Sequence, residues 1–189
     1  MKTNILYISP DFNYACGVSR YVYQCLQHFS EKDNFNVHFI TNKGDSLDRI
    51  AGSKNIKLHP LDFEKDHKNI FRLTKDFFQL LAYCKKYKID IIHTHHRYPE
   101  LLSVLVSKFT AVKTITTVHS FVRGLKNLSF RSDKIITVSK AVEEHLYKNY
   151  PHTNGRCETI YNCIDESFYE PREINTHEFK KSLGYNDSD

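Results

Sequence analysis

A chain of 189 residues with a formal charge of +5 and five cysteines is long enough for one domain, or one and a piece, that buries roughly 70% of its unfolded surface and folds without a covalent or metal staple. The odd cysteine count (Cys16, Cys25, Cys84, Cys157, Cys163), with no Cys-x-x-Cys pair, argues against a disulfide framework or zinc ribbon and for reduced thiols in a cytoplasm. Positive charge favours anionic partners, whether nucleotide, phosphorylated acceptor, nucleic acid or acidic membrane surface, without choosing among them.

In chain order, short β-branched runs alternate with longer helical patterns. A first strand over Asn4–Ser9 leads through "DFNYACGVSRYVYQCL" (11 to 26) into a helix over Gly17–Lys32. The apolar core of that strand, Ile5–Ile8, is too short for a signal peptide's hydrophobic region. Strands over Asn36–Thr41 and Ile56–Leu61 follow, then a helix over Asp66–Lys88 and a strand over Ile89–Thr94. A helix over Pro99–Phe109 and a strand over Thr114–His119 lie in the most apolar stretch, Leu101–Val122, which Lys108 and Lys113 interrupt, so no stretch reaches the length of a membrane span. A strand over Lys134–Ser139 runs into a helix over Lys140–Tyr150, which Ser139 caps and Glu143 supports from its first turn. The last strand covers Glu158–Asn162.

Near-continuous apolar strands such as Ile135-Ile136-Thr137-Val138 are expected where a parallel sheet is covered on both faces. Their alternation with helices predicts an α/β, doubly wound, mostly parallel sheet. Residues 1–171 form that domain, and the polar stretch 172–189 reads as a linker that starts a further helix over Thr176–Leu183.

In such a sheet the loop after the first strand reaches the crevice at the carboxyl edge, where ligands bind. Gly17, at a helix N-terminus, lets a phosphate approach exposed backbone N–H groups; the plainer alternative is a loop glycine required for its backbone angle. His93 and His95 share one strand face by period two, and with His96 and His119 they invite a metal reading in which Glu100 is the nearest acidic ligand. A histidine satisfied by backbone hydrogen bonds is the plainer account of His119. Arg97, Arg123, Lys126 and Arg131 flank the crevice loops and suit a phosphate or acidic acceptor.

The helical stretch 65–88 carries Lys65, Lys68, Arg72, Lys75, Lys85, Lys86 and Lys88 against Asp66 and Asp76, with Leu73, Phe77, Leu80, Leu81 and Cys84 at helical spacing. Its basic face is either simply solvated or rests on anionic lipid. Phe71 and Phe78, off the apolar stripe, either insert at such a surface or widen the core face.

Four segments, "IDIIHTHHRYPE" (89 to 100), "TITTVHSF" (114 to 121), "SDKIITVSKAVEEHL" (132 to 146) and "ETIYNCIDESFYEP" (158 to 171), in this order and spacing, resemble the N-terminal domain of family 4 glycosyltransferases, retaining enzymes of the GT-B architecture. The resemblance runs from Asn4 to Pro171. Its most specific elements are Val138-Ser139 at a strand end and Asn162-Cys163-Ile164-Asp165 followed by Phe168 and Pro171. It implies a Rossmann-like domain and a nucleotide-sugar donor held between two such domains, with a saccharide or lipid-linked acceptor on this side.

By the same resemblance Gly17 lies near the donor diphosphate and His119 contacts the reacting sugar or acceptor, while His95, Arg97, Arg123, Ser139 and Asn162 are candidates for acceptor or sugar binding. No metal, other cofactor or nucleic acid is implied. The chain departs from the pattern at Cys16, where the family often has a second glycine, and at Cys163, where it has one. The family's nucleotide-gripping residues belong to a downstream domain, so this half is expected to be inactive by itself and to lie in the cytoplasm, free or on the membrane's inner face. The rival readings are a sugar- or nucleotide-binding module without turnover and a metal-dependent hydrolase built on His93, His95 and His119.

Overall fold

A computed structural model describes residues 2–42, 44–60, 70–163 and 180–185 of the chain. Seven apolar runs form strands: β1 (Thr3–Ile8), β2 (Phe35–Thr41), β3 (Ile56–Pro60), β4 (Ile91–Thr94), β5 (Lys113–Val118), β6 (Lys134–Thr137) and β7 (Cys157–Thr159). Between them lie α1 (Gly17–Ser30), α2 (Asp48–Ala51), α3 (Ile70–Tyr87), α4 (Arg97–Ser107) and α5 (Lys140–Asn149), with a 3-10 turn at Pro151–Thr153. All six strand pairings are parallel, in the order β3-β2-β1-β4-β5-β6-β7. The winding therefore reverses between β1 and β4, which makes the sheet doubly wound as expected.

Alternation along β1 distributes the core. Ile5 and Tyr7 pack with Val22 and Leu26 of α1 and Ile50 of α2. Leu6 and Ile8, on the opposite face, pack with Leu80, Tyr83 and Cys84 of α3 and Leu102 and Val106 of α4. A third cluster joins Val118 and Ile135 to Val142 and Leu146 of α5. Covering both faces in this way is what lets the strands carry apolar side chains at successive positions.

Several boundaries differ from the sequence expectation for identifiable reasons. Lys88 adopts the left-handed backbone conformation (φ 49) that ends α3, and Asp90 uses its carboxylate to accept the Asn4 N–H at 2.8 Å, so β4 begins at Ile91 and not Ile89. Helix α4 begins at Arg97, ahead of Pro99, because extended His96 serves as its N-cap and a proline within the first turn forfeits no intrahelical hydrogen bond. The expected edge strand Glu158–Asn162 is Cys157–Thr159, its pairing ending where Thr137 of β6 meets Thr159. Helix α2 and the 3-10 turn were not expected; α2 has four residues, too few to show a periodicity. Residue 61 of the expected β3, residues 66–69 of the expected α3 and residues 176–179 of the expected helix Thr176–Leu183 lie outside the described residues; residues 180–182 are helical.

Polar groups buried behind the sheet edge tie its loops together. Glu100 of α4, fully buried, accepts backbone N–H groups of Phe130 (2.7 Å), Arg131 (2.6 Å) and Ser132 (3.1 Å), and the Ser132 hydroxyl at 3.2 Å. Arg156 donates to the carbonyls of Ser132 (2.6 Å), Phe130 (3.1 Å) and His152 (2.7 Å), and Tyr98 of α4 donates to buried Asp76 of α3 at 2.6 Å. In the loop after β2, a Cβ at Gly44 would overlap the Phe12 carbonyl, so the loops following β1 and β2 touch backbone to backbone there.

Candidate active site

Parallel strands deliver all their carboxyl ends to one edge, and at the β1/β4 reversal the loops leaving those two strands diverge to open a crevice. The loop from β1 ends in α1, whose N-cap, Cys16, is extended (φ −118, ψ 119) and makes no side-chain capping bond, and whose first turn has no acidic residue. The first amides of α1 thus meet no competing carboxylate within their own turn, the arrangement in which a helix N-terminus attracts an anion. Gly17 is exposed, its backbone is not left-handed, and a Cβ there would have nothing within 4 Å. Backbone angle therefore does not explain this glycine, and the plainer alternative loses its basis.

Across the crevice stand the histidines at and beyond the ends of β4 and β5. His93 Nε2 pairs with Thr117 Oγ1 at 2.8 Å, and His95 Nδ1 with His119 Nε2 at 3.2 Å. The rings of His93 and His95 are 4.5 Å apart, confirming that they share a face, and Tyr7 of β1 lies parallel to His95 at 6.2 Å. Tyr21 of α1 meets His95 and His119 edge-on at 5.6 and 5.1 Å, joining the helix that begins at Gly17 to the histidine cluster. Tyr7, Tyr21 and Thr117 were not singled out in the sequence; Tyr21, one helical turn beyond Gly17, was the one with a usable signal. A cavity of about 170 Å³ opens among Val18, His95, Arg97, Thr117, His119 and Ser120.

The remaining candidates spread along the same edge. Arg97 donates from Nη1 to the carbonyls of Arg123 (3.0 Å) and Gly124 (3.3 Å), fastening the loop after β5, while the Arg123 side chain is exposed. Ser139 Oγ accepts the Val142 N–H at 3.3 Å as the cap of α5. Asn162 is exposed, three residues past β7. The fold thus gathers Gly17, His95, Arg97 and His119 at the crevice, with Arg123, Ser139 and Asn162 towards β6 and β7. Glu100, considered above as a metal ligand, is committed to the 130–132 backbone, and no three His, Cys, Asp or Glu residues are grouped to hold a metal among the described residues.

Burial sets the charge of the cluster. Burial, and then the His119 charge, push His93 down to about 3; burial and then His96 push His119 down to about 4; His95 is held well below the ordinary range, chiefly by burial and then by His93, His119 and His96. Near neutral pH these rings are uncharged and act as hydrogen-bonding groups. Buried His38 on β2, at about 4 through burial and then Lys57, behaves likewise.

Unfolding frees these rings to titrate at about 6.5, so on acidification the unfolded chain binds protons that the native one refuses, each histidine adding up to about 1.4 kcal/mol per pH unit. Chemical denaturation at fixed pH should show stability falling from pH 6.5 towards pH 4, opposed among the described residues by Glu100, whose carboxyl burial raises against its four donors. Stability that is flat or rising across that interval would contradict the neutral cluster.

Comparison with known proteins bears on this arrangement. Over 167 residues the chain is 25% identical to the UDP-N-acetylglucosamine–N-acetylmuramyl-(pentapeptide) pyrophosphoryl-undecaprenol N-acetylglucosamine transferase of Prochlorococcus marinus, covering 82% of this chain and 44% of that one. A glycosyltransferase from Rickettsia africae superposes with a TM-score of 0.76 at 22% identity, covering 97% of this chain and 49% of that one. HepE of Anabaena in complex with UDP-glucose gives 0.70 at 13%, covering 96% and 50%. The chain therefore spans about half the length of these three proteins. Residues 15–168 match Glycosyltransferase Family 4, and the chain belongs to that family, its sheet forming the N-terminal half of a GT-B architecture.

Proposed function

We propose that this domain forms the acceptor-side wall of a retaining glycosyltransferase that moves a sugar from a nucleotide diphosphate donor to a saccharide or lipid-linked acceptor. The observation that carries the reading is the meeting, at the β1/β4 reversal, of the N-terminus of α1 with the neutral pair His95–His119. The first suits a diphosphate and the second a sugar hydroxyl. Support for a uridine nucleotide comes from the UDP-glucose bound by HepE, and for a lipid-linked acceptor from the substrate named for the Prochlorococcus transferase.

Retention requires the acceptor hydroxyl to attack the face from which the diphosphate departs, so stabilising the leaving phosphates matters more than a strong base. Amides at Gly17 supply part of that stabilisation. His119, neutral and held at about 4, contributes as a hydrogen-bonding partner of the sugar. The cavity of about 170 Å³ is smaller than the roughly 300–1,000 Å³ of a typical ligand pocket, as suits one wall of a cleft completed by a second domain that grips the nucleotide.

The reading is tested by transfer from UDP-glucose and UDP-N-acetylglucosamine, first with the 189-residue chain and then with any sequence encoded downstream joined to it. The chain by itself should fold, bind donor no more tightly than about 1 mM, and show no turnover. In the active, extended form His119→Ala should reduce turnover about 100-fold with the fold retained. Robust transfer by the 189-residue chain would show the site to be complete within it, and normal turnover in His119→Ala would remove that residue from the reaction.

A second reading concerns location. Phe71, Lys75, Phe78 and Lys85 fall on one outward stripe of α3, and Phe71 (84% exposed) and Phe78 (60%) do not widen the core; Phe109, after α4, is 64% exposed beside Phe77. Aromatic side chains interleaved with lysines suit the headgroup layer of an anionic membrane, and we propose that the enzyme works as a peripheral protein on the cytoplasmic face, close to a lipid-linked acceptor. Binding to vesicles containing phosphatidylglycerol should weaken with salt and on replacing Lys85, Lys86 and Lys88 by Glu. Equal binding to neutral and anionic vesicles would dispose of this placement.

A further inference from the structure

The paired histidines carry a directional consequence. His95 is 5% exposed, its Nδ1 faces His119 Nε2 at 3.2 Å, and its Nε2 is buried with no hydrogen-bond partner among the described residues. One nitrogen of the pair must donate and the other accept. If His119 donated, neutral His95 would keep its own proton on Nε2 and leave a buried N–H without an acceptor, a costlier defect than an unpaired acceptor nitrogen. If His95 donates, Nε2 is merely an unused lone pair.

The ring of His95 is also held in place, lying 11° from parallel to Tyr7, 4.5 Å from His93 and edge-on to Tyr21 at 5.6 Å. His93 is itself fixed through Nε2 by the Thr117 hydroxyl.

We propose that His95 is a positioning residue, whose Nδ1–H donates to His119 Nε2 and so fixes His119 in the tautomer that bears its proton on Nδ1, ready to donate to a sugar hydroxyl. His119 Nδ1 has no partner among the described residues, and the residue lines the cavity at the crevice. Burial keeps both rings neutral, which preserves one donor and one acceptor on each. The site thereby presents a donor of set direction, and a sugar lacking the hydroxyl it meets leaves that donor unpaired. The role deepens the reading of His119 as a sugar-contacting group and rests on it.

The tautomer is read in the ligand-free chain, independently of any transfer activity, from the imidazole nitrogen shifts of ¹⁵N-labelled protein at pH 7. His119 should show a protonated Nδ1 and an unprotonated Nε2. His95→Asn, which keeps a donor near the position of Nδ1, should preserve that pattern, and His95→Leu should let the proton distribute over both nitrogens. In the extended, active enzyme His95→Leu should lower kcat for UDP-glucose at least about 10-fold with KM within about 3-fold, and His95→Asn should restore most of the loss.

A wild-type His119 protonated on Nε2 overturns the inference, and this result stands even if His95→Leu fails to fold. Loss of turnover in His119→Ala without any in His95→Leu overturns it while leaving the role of His119 intact. Full turnover in His119→Ala would instead overturn the reading beneath it.

Discussion

The pairing of β1 with β4, Ile5 against Ile91 through Ile8 against Thr94, is the constraint on which the rest depends. Because β1 is also paired with β2 on its other side, the chain after β1 must leave the sheet in one direction and the chain after β4 in the other. The first turns of α1, through Val18 and Tyr21, thereby come beside His95, although 77 residues separate Gly17 from it in sequence. Parallel pairing of β4 with β5 then sets the ends of the two strands side by side, where His119 meets His95 at 3.2 Å. The candidate site is a product of strand order, and no local motif specifies it.

Strand order fixes the crevice only to the precision of its loops, and here multiply bonded polar side chains take over. Glu100 gathers three backbone N–H groups of residues 130–132, Arg156 takes carbonyls from the same turn, and Arg97 takes those of Arg123 and Gly124. A buried carboxylate is costly unless most of its hydrogen-bonding capacity is used, and Glu100 accepts four such bonds; Arg97 and Arg156, only partly buried, are multiply bonded as well. Their shared effect is to hold the loop from β5 to β6 over the cavity. Arg97 thus lines the cavity while its Nη1 is already engaged with the loop.

The strands were legible because a buried parallel sheet needs runs such as Ile135-Ile136-Thr137-Val138 and tolerates few other patterns. The sharing of a face by His93 and His95 followed from period two alone. Strand ends were less legible, since Lys88 and His96 end or start elements through backbone conformations that their residue types do not advertise. Asp76 reads as a charge on a basic helix and Glu100 as an acidic neighbour of the histidines, because their actual partners lie 22 and 30 residues away, on Tyr98 and Phe130. The exposure of Phe71 and Phe78 depends on how far α3 rotates against the sheet, which periodicity leaves open for residues flanking the stripe. The sequence leaves Gly17 open between a phosphate contact and a backbone-angle requirement, and the structure removes the second.

The central claim is that the ligand edge of this domain is the carboxyl edge at the β1/β4 reversal. The chain offers a competing basic cavity, also of about 170 Å³, at the opposite edge between Lys2, Lys32, Lys54 and Lys57. Titration of the ¹⁵N-labelled chain with UDP-glucose, followed through backbone amide shifts, separates the two directly. The account predicts shifts that grow with ligand through the millimolar range on Gly17, Val18 and Ser19 and around His95 and His119. Shifts confined to Lys32, Asn55 and Lys57, or no concentration-dependent shift at either edge, would contradict it.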